Sequence, residues 1–278
     1  MSMPMPMPMP TQSPTPTQIE NGVEGSVQDG VARLTLNRPD KANAIDLPMA
    51  LSLAKAIDEL VAAQPRLIVI AARGPIFCAG GDIQSFVEAG PQFEQLVVDI
   101  LSPLLPAYLK LAQVTCPVLS VVSGPLGGAG IGLGLVADVV IASHAMKLRT
   151  GYAAIGLSPD VGASYFLARR VGAMRAQRWL MLSSPISADE CLQAGAVDAL
   201  YAPEELPQAA EDWTQRLLHL APASIAAIKR LMASFGQLPL ADHLALERNL
   251  LQACARTHDA QEGIAAFMAK RKPQFSGQ

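Results

Sequence analysis

The chain has 278 residues, half of them hydrophobic, so it can bury a substantial core within one large domain. Its 21 basic and 24 acidic side chains give a net charge of −3, which excludes the strongly basic surface that nucleic acids and anionic membranes attract. The four cysteines lie far apart, which favours thiols in a reducing compartment over disulfides or a zinc site. We therefore expect a cytoplasmic protein that acts on a small molecule.

Residues 1–18 alternate Met and Pro and then run through Thr, Gln, Ser and Pro, a composition that predicts a disordered tail. This start has neither the basic residues nor the continuous apolar stretch of a secretory signal. The longest apolar region, residues 127–142, contains five glycines and Asp138, which disfavours a membrane span.

The first part of the chain alternates strand and helix patterns. Residues 31–37 alternate their side chains behind an Asp29-Gly30 turn, which predicts the second strand of a hairpin. Asp46 is placed to cap a helix, and residues 67–71 form an apolar strand after it. Apolar residues recur at helical spacing within that predicted helix: Leu51, Ala54, Ile57, Leu60 and Val61.

An amphipathic stretch over residues 83–112 precedes two further apolar strands, 117–122 and 139–142. Nearly continuous apolar strands separated by helices predict an α/β fold with a mostly parallel sheet that is buried on both faces. From residue 203 the strand patterns stop and helical patterns follow, over 206–220, 224–235 and 259–270. The chain thus divides into an α/β core, 19–202, and a helical C-terminal region, 203–278.

Two segments place glycines directly after a predicted buried strand. Residues 73–82 end in Cys78-Ala79-Gly80-Gly81-Asp82, and residues 124–130 contain Gly127-Gly128-Ala129-Gly130 before a helix-compatible stretch. Glycine lets a ligand approach the backbone closely, and unpaired N–H groups there suit an oxyanion. Each segment by itself is also typical of a tight turn.

These two segments and residues 155–162, with Ser158-Pro159-Asp160-Val161-Gly162, resemble in order and context the motifs of the crotonase family, also called the enoyl-CoA hydratase/isomerase family. The resemblance runs from about residue 22 to the C-terminus. It implies a crotonase fold of stacked β-β-α turns with a helical C-terminal trimerisation region, assembled as trimers or dimers of trimers. It also implies an acyl-CoA substrate, with coenzyme A as part of the substrate and no separate cofactor or metal.

By the same resemblance, the thioester oxygen is held by the backbone N–H groups of Gly81 and Ala129. Two preorganised donors of this kind stabilise an enolate by several kcal/mol. The hydratases of the family add two glutamates, but this chain has Gly132 and Tyr152 at those positions. Because glycine has no acid and a tyrosine with a pKa of about 10 is a poor base at neutral pH, standard hydration is not expected.

By the resemblance, Asp160 is the carboxylate that remains at a catalytic position of the family. In the family's isomerases, including the 1,2-epoxyphenylacetyl-CoA isomerase type, an acid at this position moves a proton. One carboxylate suffices for a 1,3 shift, because it can remove a proton from C2 or C4 and return it to the other carbon. The alternative interpretation is that Asp160 caps the following helix. Dehalogenation is disfavoured, since Tyr152 stands where those enzymes have Trp and apolar residues such as Leu105 where they have His.

The remaining candidate substrate contacts come from the family pattern. It places the nucleotide near the turn that contains Lys41, Ala42 and Ala44, with Lys41 and Lys270 toward the phosphates. Asp82, Ile83, Gln84 and Tyr152 are candidate contacts to the substrate. Asp82 better suits fixing the loop by bonding backbone N–H groups, and Tyr152 suits packing in the wall of the acyl pocket or a hydrogen bond to Asp160. Three hypotheses follow: an acyl-CoA isomerase that uses Asp160, a hydratase with displaced acids, and a catalytically weak acyl-CoA-binding protein.

Overall fold

The computed structural model describes residues 18–278, so residues 1–17 of the predicted tail (1–18) lie outside the described part of the chain. Ten strands are present in this part of the chain: β1 Gln18–Glu20, β2 Val23–Gln28, β3 Val31–Leu36, β4 Leu67–Ala72, β5 Val118–Val122, β6 Leu126–Gly127, β7 Val139–Ser143, β8 Lys147–Arg149, β9 Ile186–Ser187 and β10 Ala199–Tyr201. The first strand begins one residue inside the predicted tail.

Eleven α-helices accompany these strands within the described residues. They are α1 Leu47–Ala62, α2 Ile83–Ala89, α3 Phe93–Gln113, α4 Ala129–Leu135, α5 Ala163–Val171, α6 Ala173–Leu182, α7 Ala188–Ala194, α8 Leu206–Leu218, α9 Pro222–Ser234, α10 Leu240–Ala255 and α11 His258–Met268. After β10 only helices follow. The predicted C-terminal segments correspond to α8, α9 and α11, and α10 is an additional helix between them.

The larger sheet has seven strands in the order β1-β2-β3-β4-β5-β7-β10. The predicted hairpin is confirmed, since β2 and β3 pair antiparallel over Val23 to Leu36. From β3 onward the neighbours β4, β5, β7 and β10 are parallel. Strands in such a sheet are long apolar runs because helices cover both faces.

Both faces of the larger sheet are indeed covered. Helix α1 packs on β2 and β3 and against α3, while α8 lies on β4, β5 and β7. The core between the sheet and α8 contains Leu67, Val69 and Leu119 beneath Leu206 and Ala209. The predicted parallel sheet buried on two faces is therefore confirmed.

Helix α1 begins as predicted, because the Asp46 carboxylate accepts a hydrogen bond from the Met49 N–H at 3.0 Å. Its buried face includes Met49, Leu53 and Ile57. Leu51 also has the helical spacing noted in the sequence but is exposed, since it lies about 200° around the helix from Leu53.

Helix α3 is apolar on two sides, because one side packs in the core and the other lines a cavity. Ile100, Leu104 and Leu111 are buried in the core, whereas Leu101 and Leu105 line the cavity described below. Residues 83–113 are, in the part of the chain that the structure describes, the single helical stretch long and apolar enough to cross a membrane, with a mean hydropathy of 1.3. This is weak evidence for a span, because a core helix passes the same test.

The second sheet is small and carries part of the site. It has three strands, with β6 parallel to β8 and β8 antiparallel to β9. The loop after β4 joins it through a bridge between Cys78 and Leu126, with the Gly127 N–H donating to the Cys78 carbonyl at 2.9 Å. This pairing draws the two glycine-rich segments together.

Candidate active site

The two glycine-rich loops touch at Gly80 and Gly128. Both residues have positive φ, +102° and +47°, and a Cβ added to Gly80 would lie 3.1 Å from the Cα of Gly128. Only glycine permits this conformation and this approach at little cost. The same Cβ would be 3.4 Å from the Ala129 nitrogen, and one on Gly128 would be 3.9 Å from the Gly81 nitrogen. The two predicted donors therefore flank one contact between the loops.

Neither N–H group has a competing backbone acceptor. Ile45 pairs with Gly81 by donating to the Gly80 carbonyl and accepting from the Asp82 N–H, so the Gly81 N–H points away from Ile45. Within residues 18–278 it donates to no other group. Ala129 is the first residue of α4, and an N–H at that position has no partner inside its helix.

Gly81 and Ala129 lie on one wall of a cavity of about 910 Å³. This volume is in the range of small-molecule binding sites. The segment between β8 and α5, with Tyr152 and Asp160, also lines this cavity, and much of the remaining lining is apolar. The principal apolar side chains are Ile83, Phe86, Val97, Leu101, Leu105, Ile155 and Leu157.

Asp160 is the one carboxylate that lines this cavity among the described residues. Its Oδ1 accepts a hydrogen bond of 2.7 Å from the hydroxyl of Tyr152, which is only 6% exposed. Burial raises the pKa of Asp160 above its ordinary value, and the hydrogen bond from Tyr152 opposes part of this rise. A carboxylate with a raised pKa is a better proton acceptor than an exposed one.

Asp160 lies just before α5, where the alternative interpretation makes its carboxylate a helix cap. Helix α5 begins after Gly162 and has no side-chain cap, so the Asp160 carboxylate is not a helix cap. Tyr152 does more than pack, because its hydroxyl holds that carboxylate. The next residue, Val161, has φ +34°, a strained conformation for a β-branched side chain and one found most often at functional sites.

The tyrosines and the thiol of the site stay protonated near neutral pH. Burial and the neighbouring Asp160 raise the pKa of Tyr152. Burial also raises the pKa of Tyr108, and it raises the pKa of the Cys78 thiol to about 12. Asp160 is therefore the side chain in this cavity suited to accept a proton at neutral pH.

Gly132 lies in α4, and there is no space for a side chain at this position. An added Cβ would collide with the carbonyl oxygen of Val161 and would lie 3.4 Å from the Tyr108 ring. The space that a hydratase glutamate would need at this position is thus filled by the backbone next to Asp160.

The predicted nucleotide-binding turn lies beside the loop of residues 73–82, which we call the Gly81 loop. Ala42 and Asn43 both have positive φ, near +53° and +52°, and the Ala79 N–H donates to the Ala42 carbonyl at 3.0 Å. Lys41 is exposed, and Ala44 is half-buried. None of Lys41, Ala42 and Ala44 lines this cavity.

Of the other predicted substrate contacts, some line the cavity and some do not. Ile83 lines the cavity and is 52% exposed. Asp82 caps α2 by accepting from the N–H groups of Gln84 and Ser85, which is the loop-fixing role. The Gln84 side chain is exposed and bonded to Glu88, and Lys270 is exposed just after α11; neither lines the cavity.

Three features of the site were not anticipated from the sequence. Asn43 is fully buried and locks the turn by donating to the carbonyls of Arg73 and Ile76 at 3.0 and 2.8 Å. Tyr108 is buried beside the site with a hydroxyl that has no hydrogen-bond partner in the described structure. Lys147 and Arg149 of β8 line the cavity. Asparagine between small residues in a turn was the available signal for Asn43.

The family model described as Enoyl-CoA hydratase/isomerase matches residues 26–278. The chain is 31% identical to the 1,2-epoxyphenylacetyl-CoA isomerase of Escherichia coli, over 90% of this chain and 97% of that one. It is 30% identical to the trans-2-decenoyl-[acyl-carrier-protein] isomerase of Streptococcus mutans, over 91% and 97%. The crystal structure of an enoyl-CoA hydratase from Polaromonas sp. JS666 matches with a TM-score of 0.84 at 29% identity, over 91% and 99%.

The chain therefore belongs to the enoyl-CoA hydratase/isomerase family of acyl-CoA enzymes and has the crotonase fold. Hydratases and isomerases both occur among its relatives. Family membership therefore leaves the choice between these two reactions to the residues of the site.

Proposed function

We propose that the protein is an isomerase that shifts a double bond in an enoyl-CoA, or isomerises a ring-epoxide of an acyl-CoA, through a thioester enolate. The observation that carries this proposal is that Asp160 is the single carboxylate among the described residues that line the cavity, and that Gly81 and Ala129 line the same cavity. An isomerase needs one group that both removes and returns a proton, and Asp160 meets that requirement.

In the proposed reaction, the ionised Asp160 takes a proton from C2 or C4 of the bound thioester. The electrons released form a dienolate, and its negative charge collects on the thioester oxygen. The N–H groups of Gly81 and Ala129 donate to that oxygen, which lowers the energy of the intermediate. The protonated Asp160 then returns its proton to the other carbon, so the atoms and charge balance with no other reactant.

Coenzyme A is part of this substrate. We place its nucleotide at the turn of Lys41, Ala42 and Ala44, because that turn is bonded to the Gly81 loop through Ala79 and Ala42. Lys41 and Lys270 are the proposed phosphate contacts, and Lys270 would reach the site of this or a neighbouring subunit. The reaction as proposed calls for no metal or redox cofactor.

The test uses a 3-enoyl-CoA and measures its conversion to the 2-enoyl isomer by chromatography. Asp160→Asn should lower kcat by a factor of about 10² to 10⁴, the usual contribution of a positioned acid-base group, while acyl-CoA binding persists. Asp212→Asn, on the exposed face of α8, is the matched control and should keep full activity. Unchanged turnover in Asp160→Asn would contradict the mechanism.

A hydratase is the second candidate, because hydratases occur among the relatives. In that case Asp160 would activate water instead of moving a substrate proton. Rapid formation of 3-hydroxybutyryl-CoA from crotonyl-CoA, with no shift of a 3-enoyl double bond, would favour this reaction. Binding without any turnover of enoyl- and epoxy-acyl-CoAs would instead indicate a catalytically weak binding protein.

A further inference from the structure

Two cations line the cavity on the same strand. Lys147 and Arg149 lie two residues apart on β8, and Leu148 between them is buried in the core. Alternate residues of a strand point to the same side, at about 7 Å spacing, so both side chains project to the side opposite the core. Both border the cavity and are exposed at its edge.

These two cations have no carboxylate within ion-pair distance in the described residues. Neither Lys147 nor Arg149 forms an ion pair or a side-chain hydrogen bond within residues 18–278. Asp160, the cavity's carboxylate, is bonded to Tyr152 and pairs with neither of them. Two unpaired cations beside an apolar-walled cleft make a positive potential that favours an anionic group of the ligand.

The order of the segments places these cations relative to the two donors. Cys78 pairs with Leu126 of β6, while the next residue, Ala79, donates to Ala42 on the other side. β6 then pairs with β8 in a register that sets Gly127 beside Arg149. Four segments therefore lie side by side in this order: the turn at residues 41–45, the Gly81 loop, β6 and β8.

Arg149 is thus separated from the turn at 41–45 by both donor loops. Its carbonyl would be 3.0 Å from a Cβ on Gly127, two residues before Ala129. If the nucleotide of coenzyme A follows the turn, as proposed above, a thioester held by Gly81 and Ala129 directs its acyl chain toward β8.

We infer that Lys147 and Arg149 form an anion-binding subsite for the acyl group, so that the preferred substrates are acyl-CoA thioesters with a carboxylate at the far end of the chain. The guanidinium of Arg149 matches a carboxylate with two parallel hydrogen bonds, and Lys147 adds a second positive charge. This inference rests on the proposed function for the direction in which the thioester lies.

The experiment measures equilibrium binding, which needs no turnover. Wild-type protein and an Arg149→Ala variant are titrated by calorimetry with succinyl-, adipyl- and suberyl-CoA and with the neutral butyryl-, hexanoyl- and octanoyl-CoA. The wild type should bind at least one dicarboxylyl thioester more tightly than its neutral counterpart. Arg149→Ala should raise the Kd of that thioester at least about fivefold and change the neutral one less than about twofold.

Two further variants sharpen the result. Lys147→Ala should give a smaller loss in the same direction, because lysine offers a point charge without the paired donors. Arg178→Ala removes an exposed cation of α6 that does not line the cavity, and it should leave every Kd unchanged. The preference should also weaken as salt is raised, since it depends on charges at the cavity edge.

Pantetheine thioesters distinguish whether the two cations bind the carboxylate of the acyl group or the phosphates of coenzyme A. They lack the nucleotide phosphates, so a carboxylate preference that persists with adipyl-pantetheine over hexanoyl-pantetheine supports the acyl subsite. If Arg149→Ala weakens neutral and dicarboxylyl CoA thioesters equally but leaves the pantetheine thioesters unchanged, the cations bind CoA phosphates and the inference is overturned. Equal Kd values for all pairs in the wild type overturn it as well.

The proposed function is tested separately by turnover of a neutral 3-enoyl-CoA. Absence of that turnover rejects the isomerase proposal, whereas the binding preference is read from saturated thioesters that cannot react. Turnover without a carboxylate preference keeps the isomerase and rejects the subsite.

Discussion

At the scale of single residues, the hydroxyl of Tyr152 affects the pKa of Asp160. A proton acceptor must be ionised, so kcat/KM should rise with pH as Asp160 loses its proton. The hydrogen bond from Tyr152 favours the ionised form and keeps the pKa of Asp160 below the value that burial alone would impose. The protonation of Asp160 therefore depends on Tyr152, which we regard as a positioning residue.

Tyr152→Phe should move the acid limb of the pH profile to higher pH. The substitution removes the hydrogen bond to the carboxylate but keeps the ring, so the pKa of Asp160 rises further and a higher pH is needed to ionise it. The measurement is kcat/KM against pH for the isomerisation. Tyr165→Phe, an exposed tyrosine on α5, is the control, and an acid limb that stays in place in Tyr152→Phe would count against this role.

Gly132 offers a second residue-scale prediction. Gly132→Glu should destabilise the fold by about 1–3 kcal/mol or more and should not create a hydratase, because the new Cβ meets the Val161 carbonyl. Urea denaturation measures the loss. Gly25→Ala is the matched glycine substitution, since its Cβ would find its nearest neighbour at an ordinary 3.8 Å. A Gly132→Glu protein of wild-type stability would show that this space is open.

At the scale of secondary-structure elements, Arg38 ties two helix starts to one turn. It pairs with Asp46, the cap of α1, at 2.6 Å and with Asp82, the cap of α2, at 3.5 Å, and it donates to the Ala44 carbonyl at 3.2 Å. The Gly81 loop ends at Asp82 and is bridged at Gly81 to Ile45, the residue before Asp46, so its position depends on both helix starts.

The cap of α1 can be tested with a matched pair of variants. Asp46→Ala should cost about 1 kcal/mol of unfolding free energy, the usual contribution of a side-chain cap, plus the loss of the ion pair to Arg38. Asp46→Asn keeps an oxygen that can accept from the Met49 N–H and should lose only the ion pair. Chemical denaturation compares the two, and equal losses would mean that the cap contributes nothing beyond the charge.

At the scale of the whole molecule, the C-terminal helices leave much apolar surface exposed in a single chain. On α11, Ile264, Phe267 and Met268 share one face and are 68%, 82% and 76% exposed. Helices α9 and α10 bury no residue within the chain. Apolar surface of this extent is typical of a subunit interface.

We therefore predict that this surface is buried between subunits, in the trimer or dimer of trimers that the family resemblance implies. Phe267→Glu places a charge in the proposed interface and should shift the protein to smaller species, as measured by light scattering after gel filtration. Gln177→Glu, an exposed position on α6, is the control and should leave the mass unchanged. A wild-type protein that is monomeric at micromolar concentration would refute the prediction.

The sequence by itself determined the elements whose signals are local. Apolar runs of four to six residues predicted β4, β5 and β7, and Asp46 predicted the start of α1, because burial on both faces and a helix cap each produce a pattern within a few residues. The glycines at 80 and 128 marked both donor loops for the same reason. The strands β6, β8 and β9 have only two or three residues each, too few for a periodic pattern.

Tertiary structure decided the site, because its parts come from distant stretches of the chain. The contact between Gly80 and Gly128, the hydrogen bond from Tyr152 to Asp160 and the collision that keeps Gly132 a glycine each depend on how loops meet in space. The exposure of Leu51 was likewise set by packing, since helical spacing alone does not show which face of a helix is covered. Local physics therefore specified which residues could carry chemistry, and only the packing of the loops specified which of them share one cavity.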